Sequence, residues 1–425
     1  MPQKKWFKLD NAAKIYPAAQ TRNWAAMFRL SVTLTEPADP VLLEKAQEAA
    51  LKRFPVFSCR LRHGLFWYYL ELMDGTPPLH EDTYNPMQKL SAFDNRGFLY
   101  RLLYYKERVS IEFFHAVTDG TGGTIFFLSL INEYLRLKYG KDFSPAPEIF
   151  SCSEAPSPEE YEDSFLKYAT RSIMGRKEDF SYRVPATKAP SNRLLLISGT
   201  VSSEELKEKA HEYGVTVTAF LSSLLLYACH EQQQAERSRR KRAKFVKVSV
   251  PLNLRRFLPS KTLRNFSSYV NPGIDGNLGH FTFEEILTQV SHFLGMHLTA
   301  KELQARISAN VADERNPFIR VIPLFIKNPI MRLIYHSQGE KYFASQISNL
   351  GRVRMPDGME QYVDRFEFML GRAASKLTSC AVASFNGKTV INFSRNIRET
   401  ETERIFFSTL RKMGIHVFIE SNGSA

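Results

Sequence analysis

A strand-like run, Val109 to Phe114, delivers His115, and four positions later come Asp119 and Gly120, with Gly122 and Gly123 close behind. A histidine at the end of a buried strand is held by rigid backbone while its ring can meet a cavity. Near neutral pH such an imidazole can take a proton from a hydroxyl or an amine as a general base. Asp119 could orient the imidazole or fix the turn itself. The glycines let the chain bend sharply and start the next helix without side-chain clashes. On spacing alone, one His beside one Asp is also an ordinary satisfied polar pair. The sequence has 10 histidines, and none of the others stands in a comparable setting.

The elements around this stretch must hold it in place. Phe28 to Thr35 alternates apolar and polar residues and reads as a strand. Asp39-Pro40 is a cap followed by proline, which predicts a helix running to about Arg53. Phe57–Arg62 and Leu65–Leu72 flank His63-Gly64 as a hairpin, and Phe98–Tyr105 pairs with Val109–Phe114. Thr124 to Tyr139 is apolar at helical spacing. Asp142 to Glu162 then changes character, with Pro145, Pro147, Pro156 and Pro158 among serines and acids.

A second half restarts with a strand at Arg193–Val201 and a capping box, Ser202-x-x-Glu205, that opens a helix to about Tyr213. Helices are expected at Thr216–Gln232, Phe281–Leu298 and Thr400–Met413. Strands are expected at Phe245–Pro251, Tyr342–Ser348, Val363–Leu370, Ser379–Phe385, Val390–Ser394 and Ile415–Glu420. Asn386-Gly387 marks a hairpin turn. Each half therefore reads as a mixed sheet with helices. At 425 residues two domains are expected: 1–165, then 190–425, with a linker region at 141–190.

Hydrophobic residues make up 44% of the chain and charged ones 24%, enough for a sizeable core. The net charge is +13, and its densest cluster is Arg237, Arg239, Arg240, Lys241, Arg242 and Lys244. That cluster reads either as a solvated loop between a helix and a strand or as a phosphate site. No nucleic-acid partner is expected, since no zinc-finger, helix-turn-helix or RNA-recognition signature accompanies the charge. Cys59, Cys152, Cys229 and Cys380 are far apart without a Cys-x-x-Cys pair, so no metal site is expected. Free thiols and an N-terminus without an apolar signal region point to a cytoplasmic protein. No run reaches the ~18 apolar residues of a transmembrane segment. The nearest, Asn316 to His336, is interrupted by Arg320, Pro323, Lys327, Pro329 and Arg332, and reads as core, acceptor channel or membrane-facing lip.

His115-x-x-x-Asp119-Gly120 resembles the H-x-x-x-D-G signature of the coenzyme A-dependent acyltransferase superfamily. That superfamily includes chloramphenicol acetyltransferase, the condensation domains of nonribosomal peptide synthetases, wax ester synthases and alcohol acetyltransferases. Arg53-Phe54-Pro55-Val56-Phe57 is similar to an early basic motif of these enzymes. Val250 to Phe257, with Arg255 and Arg256, resembles their arginine-bearing strand in the second half, and Phe385-Asn386-Gly387-Lys388 their late Y-N-G-K hairpin.

The resemblance implies an α/β fold of mixed sheets, two chloramphenicol acetyltransferase-like subdomains forming a V, and a central tunnel around His115. It implies acyl-CoA as co-substrate, with no permanently bound cofactor, and a small alcohol or amine as acceptor. His115 would deprotonate the acceptor, which attacks the thioester directly. Asp119 would be structural, paired with Arg255 or Arg256 and followed by Gly120. Ser348 and Asn349, in a stretch ending at Gly351, would line the tunnel or form a strand-ending turn. Phe114 replaces the first histidine of the longer H-H-x-x-x-D-G form, and the D-F-G-W-G loop is missing. Two alternatives stay open: a condensation-type enzyme fed by an acyl carrier protein, and a silent relative that binds a ligand or partner.

Overall fold

The computed structural model describes residues 6–21, 24–144, 146–170, 178–189, 193–335, 339–375 and 377–423. The chain begins with a short strand, β1 (Trp6–Lys8), and helix α1 (Ile15–Ala19), followed by β2 (Met27–Leu34) and α2 (Pro40–Arg53). Asp39 starts α2 as its pattern requires: the carboxylate accepts from the Val41 and Leu42 amides at 2.9 and 3.2 Å. A hairpin of β3 (Cys59–His63) and β4 (Tyr68–Leu72) leads to β5 (Leu79–Glu81), β6 (Tyr100–Tyr105) and β7 (Arg108–Phe114). Helix α3 (Gly120–Tyr139) comes next and is buried along most of its turns.

Rings lock α3 onto the strands beneath it. Phe126 stacks on Phe57 with centroids 4.1 Å apart and meets Tyr100 edge-on at 5.4 Å and Phe113 at 6.2 Å. Each such pair adds about 0.5–1.5 kcal/mol beyond its burial. Because Phe113 belongs to β7 and Phe126 to α3, the turn joining them has two rigid abutments.

Within the stretch expected as a linker, residues 146–170 form a packed strap. Its one α-helix among the described residues is α4 (Ser164–Tyr168). Arg53 holds Glu160 through two hydrogen bonds, 2.7 and 2.9 Å, with both side chains buried. The carbonyl of Glu160 in turn accepts from the Leu263 amide at 2.9 Å. Proline and serine content signalled irregular backbone there; the buried ion pair fastens it down.

Beyond the strap lie β8 (Leu195–Ser202), α5 (Ser203–Glu212), α6 (Val217–Gln234), the short α7 (Arg239–Arg242) and β9 (Phe245–Asn253). β10 (Ser267–Val270) and β11 (Gly273–Asp275) fold back on β9. Helices α8 (Phe283–His297), α9 (Ala300–Arg315), α10 (Pro317–Arg320) and α11 (Leu324–Ile334) follow without a strand between them. The chain continues through β12 (Ser345–Arg352), β13 (Val363–Leu370), β14 (Thr378–Phe385), β15 (Lys388–Arg395), α12 (Glu401–Lys412) and β16 (Phe418–Ser421). The β14–β15 turn is the expected Asn386-Gly387, both residues at positive φ (46° and 71°). Only half of the expected capping box forms. Ser202 accepts from the Glu205 amide at 3.3 Å, but the Glu205 carboxylate turns to the His416 amide at 3.1 Å.

Among the described residues the strands form three sheets: β1-β4-β3, β13-β2-β7-β6-β5, and β10-β9-β12-β14-β15-β8-β16 with β11 beside β9. The second half contributes one strand to the sheet of the first. β13 leaves the second half and pairs antiparallel with β2, from Leu34 opposite Val363 to Phe28 opposite Leu370. Phe366 and Phe368 of β13 are buried in the first core, and the Phe368 carbonyl accepts from Asn392 of β15 at 2.9 Å. A strand from the second half thus completes the first sheet, and a buried amide ties it to β15.

Candidate active site

His115 follows the last residue of β7, and its amide donates to the Ala26 carbonyl at 2.9 Å. Three residues of turn then bring the chain to Asp119, which caps α3 by accepting from the Gly122 amide at 3.0 Å. The motif is a strand end, a tight turn and a helix start. The same loop is gripped from the second half by residues 262–266, just before β10. Thr118 Oγ1 donates to the Leu263 carbonyl at 2.6 Å, and Asp119 Oδ2 accepts from the Phe266 amide at 2.7 Å.

Asp119 Oδ2 also accepts from Arg255 Nη1 at 2.8 Å. Arg255 spends its other donors on the same segment, at 3.0 and 2.8 Å to the Thr262 carbonyl and 2.6 Å to that of Arg264. The ion pair therefore holds the clamp to the loop, and neither side chain hydrogen-bonds the imidazole. Arg256 is exposed and lies beside Gly351 instead. A Cβ on Gly122 would overlap the Leu263 carbonyl oxygen, so only glycine lets the clamp close this tightly.

The imidazole is partly buried. Tyr16 of α1 stacks on it with centroids 4.7 Å apart, and Phe28 packs edge-on at 5.2 Å. Its Nδ1 lies 3.0 Å from Asn265 Oδ1 and also faces its own backbone carbonyl. Asn265 Nδ2 reaches toward Asp10 Oδ2 at 3.4 Å, which orients the amide with its oxygen to the ring. With acceptors around Nδ1, the ring proton belongs there and Nε2 carries the lone pair. Nε2 makes no hydrogen bond among the described residues. Burial lowers the His115 pKa below its usual value, so the ring is neutral at physiological pH. Burial raises Asp10 to about 6, against the pull of Arg264 3.6 Å away.

Asn265, Tyr16 and Asp10 were not expected from the sequence. They lie 150, 99 and 105 positions from His115 (265 − 115, 115 − 16, 115 − 10), with no shared pattern to announce them. The stretch from Ser348 to Gly351 is not a turn after a strand but the bulged end of β12, where the register with β14 shifts. Asn349 is committed to that bulge: its Oδ1 accepts from the Gly351 amide at 2.8 Å and its Nδ2 donates to Thr218 at 3.1 Å. Ser348 stands opposite Ala381 in the ladder. The residue that touches the motif is Leu350, whose Cδ2 lies 2.8 Å from where a Cβ on Gly120 would sit.

The basic cluster at 237–244 sits at the other end of β9 from Arg255. Nine extended residues span roughly 30 Å at ~3.3 Å each, farther than an arginine side chain can reach. Within the cluster, Lys241 pairs with Glu236 at 3.0 Å. A cavity of about 700 Å³ between α6 and α12, lined by Tyr227, Arg237 and Arg404 among others, contains none of the motif residues. Burial pushes the Cys59, Cys152 and Cys229 thiols up to about 12, which leaves them inert as nucleophiles. Among the described residues no group of three or more His, Cys, Asp or Glu side chains could hold a metal ion. No single described helix is long and apolar enough to cross a membrane. The pair α5–α6 passes by composition only when joined across an 83° bend, and α6 lies in the second core.

Mixed sheets, with a histidine-bearing turn clamped by a segment of the second half, make up a fold that this chain shares with solved structures of a condensation domain and of a coenzyme A complex. Residues 172–357 match the alcohol acetyltransferase family. The chain is similar over nearly its whole length to polyketide synthase associated protein 5 from Mycobacterium tuberculosis (14% identity, 95% of this chain and 96% of that one, TM-score 0.64). It is likewise similar to TRI101 of F. sporotrichioides, solved with coenzyme A and T-2 (11% identity, 99% and 100% covered, TM-score 0.65). The condensation domain from the Monacolin K polyketide synthase MokA superposes with a TM-score of 0.61 at 11% identity, over 96% of each chain. No curated protein matches the sequence.

Proposed function

We propose that the protein is an acyltransferase that moves an acyl group from acyl-CoA to a hydroxyl or amine acceptor, with His115 Nε2 as general base. The observation that carries this reading is the state of the ring. Its Nδ1 is occupied by Asn265 and its own carbonyl, its charge is disfavoured by burial, and Nε2 is left as an acceptor. The acceptor O–H or N–H proton moves to Nε2 as the oxygen or nitrogen attacks the thioester carbonyl carbon. The C–S bond then breaks, and the CoA thiolate takes the proton back from the imidazolium. No covalent acyl-enzyme is required. The match of 172–357 to the alcohol acetyltransferase family and the coenzyme A seen with TRI101 support free acyl-CoA as donor.

Asp119 and Arg255 act on this chemistry only through position, by pinning the turn that presents His115. The test is thiol release from acetyl-CoA and longer acyl-CoAs against panels of alcohols and amines. His115→Ala is expected to lower acceptor-dependent turnover by about 10²–10⁴. Turnover unchanged by the substitution would overturn the reading. Activity confined to carrier-protein-bound acyl groups would overturn the donor assignment.

A further inference from the structure

The helices α10 and α11 display a surface that the site does not use. Phe318, Val321, Phe325, Ile330 and Leu333 project from them, with Phe318 81%, Phe325 71% and Leu333 70% exposed. Side chains of this size are seldom left so bare in a row. The tip of the β3–β4 hairpin extends the same surface. Leu65 is 64% exposed, while its carbonyl accepts from the Leu324 amide at 2.8 Å. Lys327 fastens tip to helix: its Nζ donates to the Phe66 carbonyl at 3.2 Å and lies 3.7 Å from the Trp67 ring centre.

The charge on this surface has one sign. Residues 315–339 include Arg315, Arg320, Lys327 and Arg332 and contain no aspartate or glutamate. Arg315, Arg320 and Arg332 are exposed. An apolar helix face rimmed by arginines is the pattern that lies in the headgroup region of a bilayer, with cations meeting anionic lipid. A second copy of this +13 chain would bring arginines against arginines. We propose that α10, α11 and the β3–β4 tip seat this protein on an anionic lipid bilayer.

The surface also adjoins the base. Arg332 Nε donates to the Ala18 carbonyl of α1 at 3.3 Å, and Trp24 stacks on Tyr335 at 4.5 Å. Helix α1 carries Tyr16, the ring covering His115. Where the acyltransferase reading above holds, docking places the covered face of His115 next to the lipid phase and favours an amphiphilic, apolar substrate.

The experiment is co-sedimentation of the full chain with vesicles of phosphatidylcholine alone and of phosphatidylcholine with roughly 30% phosphatidylserine. Binding to the anionic vesicles, weakened by high salt, is expected, with little to the neutral ones. Phe325→Ser with Leu333→Ser should cut the bound fraction by about fivefold or more, and Arg315→Glu with Arg320→Glu should do so on anionic vesicles. Each variant's circular dichroism should match that of the parent, because the replaced side chains are exposed. His115→Ala should sediment like the parent, which separates docking from catalysis. No sedimentation of the parent, equal sedimentation of the Phe325/Leu333 variant, or a dimer abolished by that variant without vesicle binding would each overturn the proposal.

Discussion

Asn265 accepts a hydrogen bond from His115 Nδ1 at 3.0 Å, from a segment of the second half that also grips the loop after His115. The amide does two things at once: it sets the tautomer and it steadies the positive charge that the ring acquires during proton transfer. Asn265→Ala should therefore lower kcat by about tenfold, equivalent to ~1.4 kcal/mol, with KM little changed. The acidic limb of the pH profile should also move. A base works when deprotonated, so kcat/KM rises with pH through the His115 pKa, which burial already holds below its usual value. Losing a bond that favours the charged ring shifts that limb further toward acid. A limb that stays in place would show Asn265 to be mere packing.

The buried pair of Asp119 and Arg255 should behave as a unit. Asp119→Ala strands the guanidinium and leaves the Phe266 and Gly122 amides without their acceptor. We expect a loss of about 3–5 kcal/mol for either single replacement. Asp119→Ala combined with Arg255→Met should cost clearly less than the sum, read from urea midpoints of a double-mutant cycle.

Glycine 122 and glycine 295 make a matched pair for a second stability test. Gly122→Ala must push Leu263 away and is expected to cost about 1–3 kcal/mol. Gly295→Ala, in α8 with nothing near its Cβ, should instead stabilise by about 0.5–1 kcal/mol. Thermal melts of the two variants should move in opposite directions.

Stability should also depend on Glu403. Burial raises its pKa from 4.5 to about 7, and Arg395 stands 3.7 Å away. A carboxyl whose folded-state pKa lies above its unfolded value favours folding below the unfolded pKa. That contribution is lost as pH climbs through the window from 4.5 to about 7. Glu403→Gln should remove a fall on the order of 3 kcal/mol across that window. Chemical denaturation at pH 4.5 and pH 8 would show it, and an equal decline in parent and variant would refute the assignment.

Local pattern made much of this fold readable. Asp39-Pro40 fixed one helix start, Asn386-Gly387 one turn, and the alternation in Val363–Leu370 a strand that forms with those bounds. What alternation could not convey is which sheet a strand joins, since both sheets offer a half-buried edge, and β13 went to the first. The site was readable to the same depth. His115, Asp119 and the glycines share one short stretch, whereas Asn265, Tyr16 and Asp10 reach the ring only through tertiary folding. The Glu205 carboxylate makes the same point in small: its spacing promised a return to its own helix start, and packing against His416 outbid it.

The β2–β13 pairing has a bearing on how the molecule is made. During synthesis β2 emerges early, but its outer neighbour arrives only with residues 363–370. Until then Phe28 to Leu34 is an open edge, the kind that recruits strands from other chains. A fragment ending anywhere in 141–190 would keep that edge for good. A ribosome paused before residue 363 therefore holds a nascent chain whose β2 edge has no partner yet.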